Sequence, residues 1–255
     1  MIRHRLIFMA SILLGLNTAL RAQTLTIHTQ PCGLINTNAY LIADTESRQA
    51  ALIDPGGAVD SLMALVEGEH FDLRYLLITH CHQDHVGGIE GVKARYPKAW
   101  FCYSQLEADD MPAYDHWEKI FGVQSVEKWT ASPVMNQLMN FDFSTLPPVD
   151  QIVAEGDTLW LGQSPIAVLA TPGHSRGSLT YVVPGALFSG DLILSHSVGA
   201  LDCTLFSKEE LIRSVRRLYK AYPDPTMIYP GHGQAMTVGE EKTQNRAVTL
   251  EAVNF

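Results

Sequence analysis

Residues 76–88 read LLITHCHQDHVGG, an apolar run that closes on His80, His82, Asp84 and His85 within six positions. The stretch RYLLIT has the aliphatic and β-branched content of a buried strand, which places the polar cluster in the loop leaving its C-terminal end. Imidazoles and a carboxylate are costly to bury there unless each finds partners, since neutral histidine needs two hydrogen bonds and aspartate several. A divalent cation satisfies them together. Open α/β sheets hold their ligands at such strand ends.

Three later positions repeat the context. His174 in TPGHS, Asp191 in SGDL and His232 in YPGHG each follow an apolar strand and stand next to glycine, which lets a backbone turn sharply and approach closely. Taken singly, a GH or GD pair at a strand end is ordinary architecture. Taken in chain order with the first cluster, they make seven candidate donors, a number that suits two metal ions about 3.5–4 Å apart with a shared carboxylate. His4, His28, His70, His116 and His196 lack this context and read as ordinary structural histidines.

The strands and helices between these positions set the fold class. LTIHT, NAYLIAD and AALIDPGG read as a β-meander, and AVDSLMALVEGEH has helical spacing. The strand RYLLITH, a helix over VGGIEGVKARYP and the strand AWFCYS follow. Residues 105–150 lack clean periodicity but are rich in aromatic and Met side chains, so helical pieces and loops are expected. Strands resume at SPIAVLATPGH, SLTYVVPG and ALFSGDLI. A helix over 208–221 starts at a Ser207–Glu210 capping box, and TMIYPGHG reads as the last strand with its exit loop. Alternating strands and helices predict an α/β protein.

The chain has 255 residues, 46% of them hydrophobic, enough for one full core without internal repeats. Eighteen basic against 27 acidic residues give a net charge of −9. That disfavours nucleic acid, whose phosphates require dense Lys and Arg. MIRHR followed by LIFMASILLGLNTAL has the layout of a secretory signal peptide ending near Ala22. Its apolar run of about 15 residues is short of the roughly 20 that span a bilayer. Residues 1–22 are thus expected to leave, with 23–255 as the exported domain; the segment touches a membrane only if it stays uncleaved, and a misassigned start would leave the protein cytoplasmic. Cys32, Cys81, Cys102 and Cys203 form no CxxC pair, so either disulfide pairing or burial as small apolar groups is open to them.

The strings THCHQDHVGG, TPGHSRGS, LFSGDLI and YPGHGQAMTVGEEKTQN together resemble the metallo-β-lactamase fold superfamily, and within it the glyoxalase II-like hydrolases, over roughly residues 25–247. The resemblance implies a four-layer αββα sandwich with the site at one edge between two sheets. It implies that His80, His82 and His174 hold one divalent ion, and that Asp84, His85 and His232 hold a second, with Asp191 bridging. Zinc is the expected metal, iron or manganese the alternatives. Hydroxide formed at the metals would attack an acyl carbon of a small ester or thioester, with Asp84 orienting it or taking the proton.

Asp191 stands where the lactamase subclasses lack a bridging carboxylate, which argues against β-lactam hydrolysis. Relatives of the glyoxalase branch carry Gly-Arg-Thr-Asp after that aspartate, whereas residues 199–202 here read GALD, and only 23 residues follow His232. No glutathione-binding residue can therefore be named. Lactone or phosphodiester hydrolysis by the same donors, and persulfide dioxygenation at a single iron, are the alternative readings; a binding module without turnover is the third.

Overall fold

A computed structural model describes residues 25–199 and 204–249. The first sheet runs in chain order through β1 (Leu25–Cys32), β2 (Thr37–Asp44), β3 (Gln49–Ile53), β4 (Asp72–Leu77), β5 (Trp100–Tyr103) and β6 (Gln151–Ile152). Its first three strands are antiparallel, the meander expected from the sequence, and β3 to β6 are parallel. The second sheet contains β7 (Thr158–Leu161), β8 (Ser164–Ala170), β9 (Leu179–Val183), β10 (Ala186–Gly190), β11 (Met227–Pro230) and β12 (Met236–Thr237), antiparallel except for the β10/β11 pair.

Side-chain alternation along the strands explains the layering. In β2 and β3, Leu41, Ala43, Ala50 and Leu52 face one core, while Tyr40, Ile42, Ala51 and Ile53 face another. The second of these cores also contains Ile166, Val168, Tyr181 and Phe188 of the other sheet, so it lies between the sheets. Both faces of β2 are covered, and all eight of its residues are buried, as in strands with no solvent face. Strand β1 sits on an edge, is only part-buried, and carries Pro31 where no ladder bond is lost.

Helices cover the outer faces. On the first sheet, α1 (Asp60–Gly68) buries Leu62, Met63 and Val66, and α3 (Ile89–Arg95) buries Ile89 and Val92, all in one cluster with Leu41 and Leu76. The four-residue α2 (Gln83–Val86) precedes α3. Residues 105–145 form α4 (Gln105–Asp110), a 3-10 stretch, α5 (Trp117–Phe121), α6 (Val123–Thr130), α7 (Pro133–Met139) and a second 3-10 turn. On the second sheet, α8 (Lys208–Ala221) buries Leu211, Val215 and Leu218 against Leu187 and Ile228, joined by α9 (Val238–Gln244); α10 (Arg246–Thr249) closes the described chain. Three apolar clusters in three interlayer spaces make the αββα sandwich.

Three local readings are corrected. Asp84 and His85 stand in the helical turn α2 and not in a loop. Strand β11 is not the last, because β12 pairs with it. At α8 only the Ser207 hydroxyl caps, accepting from the Glu210 amide, whereas the full capping box is Thr237–Glu240 at α9. The strands β6 and β7 also escaped the sequence reading, since a two-residue strand and the short TLWL carry too little pattern. Cys32, Cys81 and Cys102 are free and buried. Residues 1–22, Cys203 and residues 200–202 lie outside the described residues. Among the described residues no helix is long and apolar enough to cross a membrane.

Candidate metal centre

Six strand exits meet along one edge of the sandwich. Strands β3, β4 and β5 of the first sheet end near Asp54, Thr79 and Ser104, while β8, β10 and β11 of the second lead into His174, Asp191 and His232. Two hydrogen bonds lock the sheets there: the Leu179 amide donates to Thr79 O at 2.8 Å, and the Tyr181 hydroxyl to Ile78 O at 2.9 Å. All seven side chains named from the sequence converge at this edge, in three groups whose donor atoms lie within 4.8 Å of one another: His80, His82 and His174; His80, His85 and Asp191; Asp84, His85 and His232.

Hydrogen bonding settles where the lone pairs point. The Thr79 hydroxyl donates to Asp54 Oδ2 at 2.7 Å, so towards His80 Nδ1, 3.0 Å away, it can only accept. His80 Nδ1 therefore carries the proton, and Nε2 presents a lone pair. His174 Nδ1 is bonded to the Gly199 carbonyl, which likewise leaves its Nε2 unprotonated. These two lone pairs face each other at 3.2 Å, and His82 Nδ1 stands 3.0 Å from both. His85 Nδ1 donates to Asp54 Oδ2 at 3.0 Å, which turns its Nε2 towards Asp84 Oδ2 at 3.3 Å and Asp191 Oδ1 at 3.5 Å. Neither His85 Nε2 nor Asp191 Oδ1 has a hydrogen-bond partner although both are buried.

Lone pairs that converge without protons between them are repulsive in a dry site, and a divalent cation removes that repulsion. The separations suit it: a tetrahedral ion with bonds of about 2.0–2.1 Å to nitrogen sets its ligand atoms about 3.3 Å apart. The imidazole and carboxylate donors fit a borderline or hard divalent ion. Asp191 lies between the two terminal groups, with Oδ2 3.7 Å from His174 Nε2 and 3.6 Å from His232 Nε2.

Electrostatics divides the centre in two. Burial, reinforced by His85 and the other imidazoles, holds His80 well below the ordinary histidine range; burial and the neighbouring His174 push His82 down to about 3. These nitrogens stay neutral donors. Burial alone would raise Asp84 and Asp191, but His85 facing both, with His232 bonded to Asp84, holds each carboxylate well below its usual range. His85 is the counterpart: burial opposes its charge, and Asp84, Asp191 and Asp54 outweigh burial and drive it up. The carboxylate half attracts positive charge that the imidazole half cannot carry as protons.

Several residues that the sequence reading left out hold this arrangement. Asp54 accepts from the Thr79 amide and hydroxyl and from His85, the carboxylate–histidine pairing that orients metal ligands. Its signal was present, because LIDPGG puts an aspartate at a strand end beside Pro and Gly, as in SGDL. Thr37 donates its hydroxyl to Asp84 Oδ2 at 2.7 Å, and the Asn38 amide and Tyr40 hydroxyl tie down the 230–233 loop. Glu107, on α4 and wholly buried, accepts from the Cys81 amide, the Ser175 hydroxyl and the Gly177 amide, each at 2.7 Å. No local pattern marks it.

The sequence model of the Metallo-beta-lactamase superfamily matches residues 32–232. The chain belongs to that superfamily. Among curated proteins, it is 28% identical over 220 residues to the probable metallo-hydrolase YqgX of Bacillus subtilis, covering 84% of this chain and 93% of that one. It is also 28% identical over 217 residues to the hydroxyacylglutathione hydrolase GloC of Haemophilus influenzae, covering 84% and 94%. Persulfide dioxygenase ETHE1 of Mus musculus matches at 28% over 226 residues, 86% of this chain and 74% of that one. Two solved structures share the fold: the B3 metallo-beta-lactamase BLEG-1 (TM-score 0.69, 26% identity, 88% of this chain and 100% of that one) and TTHA1623 in a di-iron-bound form (0.66, 28%, 86% and 98%). Superfamily membership and the His/Asp groups make the protein a metal-dependent hydrolase with clusters suited to divalent metals.

Proposed function

We propose that the protein hydrolyses a small thioester or related ester with two divalent ions, zinc in the first instance and iron or manganese as substitutes. The observation that carries this reading is the pair of donor groups, His80–His82–His174 and Asp84–His85–His232, with Asp191 within reach of both. When bound, the ions supply an activated water and stabilise negative charge developing on the carbonyl oxygen. The rest falls to the chain. Asp84, held as a carboxylate and oriented by the Thr37 hydroxyl, offers an oxygen to align the attacking water and accept its proton. Asp54 keeps His85 in one tautomer, and Gly199 O does the same for His174. A thiolate, the conjugate base of a group with a pKa of about 8.5, leaves without a dedicated acid.

Metal analysis of the purified protein, followed by hydrolysis of S-lactoylglutathione with Asp191→Ala as control, tests the reading. Two ions per chain and turnover lost in the variant support it; one ion per chain, or equal turnover in the variant, refutes the two-ion site. The ETHE1 match favours a second reading, persulfide dioxygenation at a single iron, which predicts oxygen consumption on a persulfide and indifference to His232→Ala. The layout of residues 1–22 supports export, and N-terminal sequencing of the mature protein checks it.

A further inference from the structure

A cavity of about 180 Å³ opens directly onto the donor cluster. Its polar lining is His82, Gln83, Asp84, His174, Asp191 and His232. The apolar lining is Trp117, Phe121, Trp129, Met135, Leu138 and Met139, all from the helical insert, with Ile35 of the β1–β2 turn. Among the described residues lining it there is no Lys or Arg. Charged recognition of a carboxylate or phosphate draws on such groups, so this wall offers no counter-charge to a peptidic thiol or a nucleotide carrier.

The wall is built rather than incidental. Trp117 Nε1 donates to Met139 O at 2.7 Å, which satisfies the indole and ties α5 to α7. Trp117 stacks on Phe121 with centroids 5.5 Å apart, and Phe121 meets Trp129 edge-on at 4.7 Å. Tyr114 links this ladder to the metal centre, 5.0 Å from Trp117 and 5.5 Å from the His82 ring. The methionines supply soft surface that conforms to different apolar shapes.

Resting on the hydrolase reading above, we infer that the acyl part of the substrate is uncharged and apolar, the size of one aromatic ring or about six carbons, seated against Trp117, Phe121 and Trp129. The cavity has room for a group of that size, since an apolar cavity of about 150 Å³ accepts benzene. Selectivity follows from water displaced by the acyl group, at roughly fourfold per methylene fully buried and less where burial is partial.

The test is a series of N-acetylcysteamine thioesters, which share one small neutral leaving group, carrying acetyl, butyryl, hexanoyl and phenylacetyl groups, with S-lactoylglutathione alongside. Wild-type kcat/KM is expected to rise about 10- to 100-fold from acetyl to hexanoyl or phenylacetyl, and Trp129→Ala to flatten that rise by about tenfold. A series that is flat or falls, or S-lactoylglutathione as the best substrate, overturns the acyl assignment and leaves the hydrolase reading standing. Tryptophan fluorescence of metal-free protein titrated with phenylacetamide gives a readout independent of turnover. Saturable binding that Trp129→Ala weakens supports the apolar seat even if no thioester is cleaved, an outcome that sinks the thioesterase reading alone; no saturable binding overturns the seat.

Discussion

Asp54 shows how much of the centre is decided one bond away from the ligands. Its two oxygens accept three hydrogen bonds, from the Thr79 amide, the Thr79 hydroxyl and His85 Nδ1, and this turns Nε2 of both His80 and His85 inward. Asp54→Ala is expected to weaken metal binding about 10- to 100-fold, with circular dichroism unchanged; competitive titration against a chromophoric chelator measures it, and equal affinity refutes the orienting role. Gly231 makes the complementary case by close approach. A Cβ there would stand 2.1 Å from Asp191 Oδ1 and 2.7 Å from His85 Cε1. Gly231→Ala should therefore displace the Asp191 carboxylate and reduce the bound metal, read by elemental analysis.

Among the elements, α4 has the least obvious task. It is six residues long and carries Glu107 into the gap between the His80–His82 segment and the 174–177 loop, where the side chain accepts three bonds from the two. A carboxylate suits this position because all three partners are donors. Glu107→Gln substitutes an NH2 for one acceptor, setting donor against donor in a buried place. A loss of about 2–4 kcal/mol in chemical denaturation is expected, and a loss below half a kcal/mol would show that the clamp is dispensable. The insert α5 to α7 behaves differently, because its buried residues serve the cavity wall as much as the core. The same aromatic residues that hide it from periodicity analysis make it a recognition surface.

At the level of the whole molecule, the centre is a cross-brace as well as a reaction site, since its donors come from both sheets. Ions that bind only the folded chain stabilise it by mass action, about 4 kcal/mol at a thousandfold excess over the dissociation constant. For a protein of this size that amounts to a Tm roughly 10 °C higher. EDTA is expected to lower Tm by about that much, and zinc or manganese to restore it; an unchanged Tm would mean that the sheets meet without help from metal. The sequence by itself determined the α/β class and the seven polar side chains, because strand periodicity, a tight His/Asp cluster at one strand end and donors next to glycine at three others are local signals; the four-layer αββα arrangement was implied only by the family resemblance of its motifs. It also flagged the aromatic insert, but not which way that insert faces. Only the tertiary structure decided that Asp54, Thr37 and Glu107 support the ligands, that Asp84 and His85 stand on a helical turn, and that the aromatic wall closes over the centre. Each of these rests on contacts between segments distant in the chain, where no spacing rule applies and packing alone chooses the neighbour.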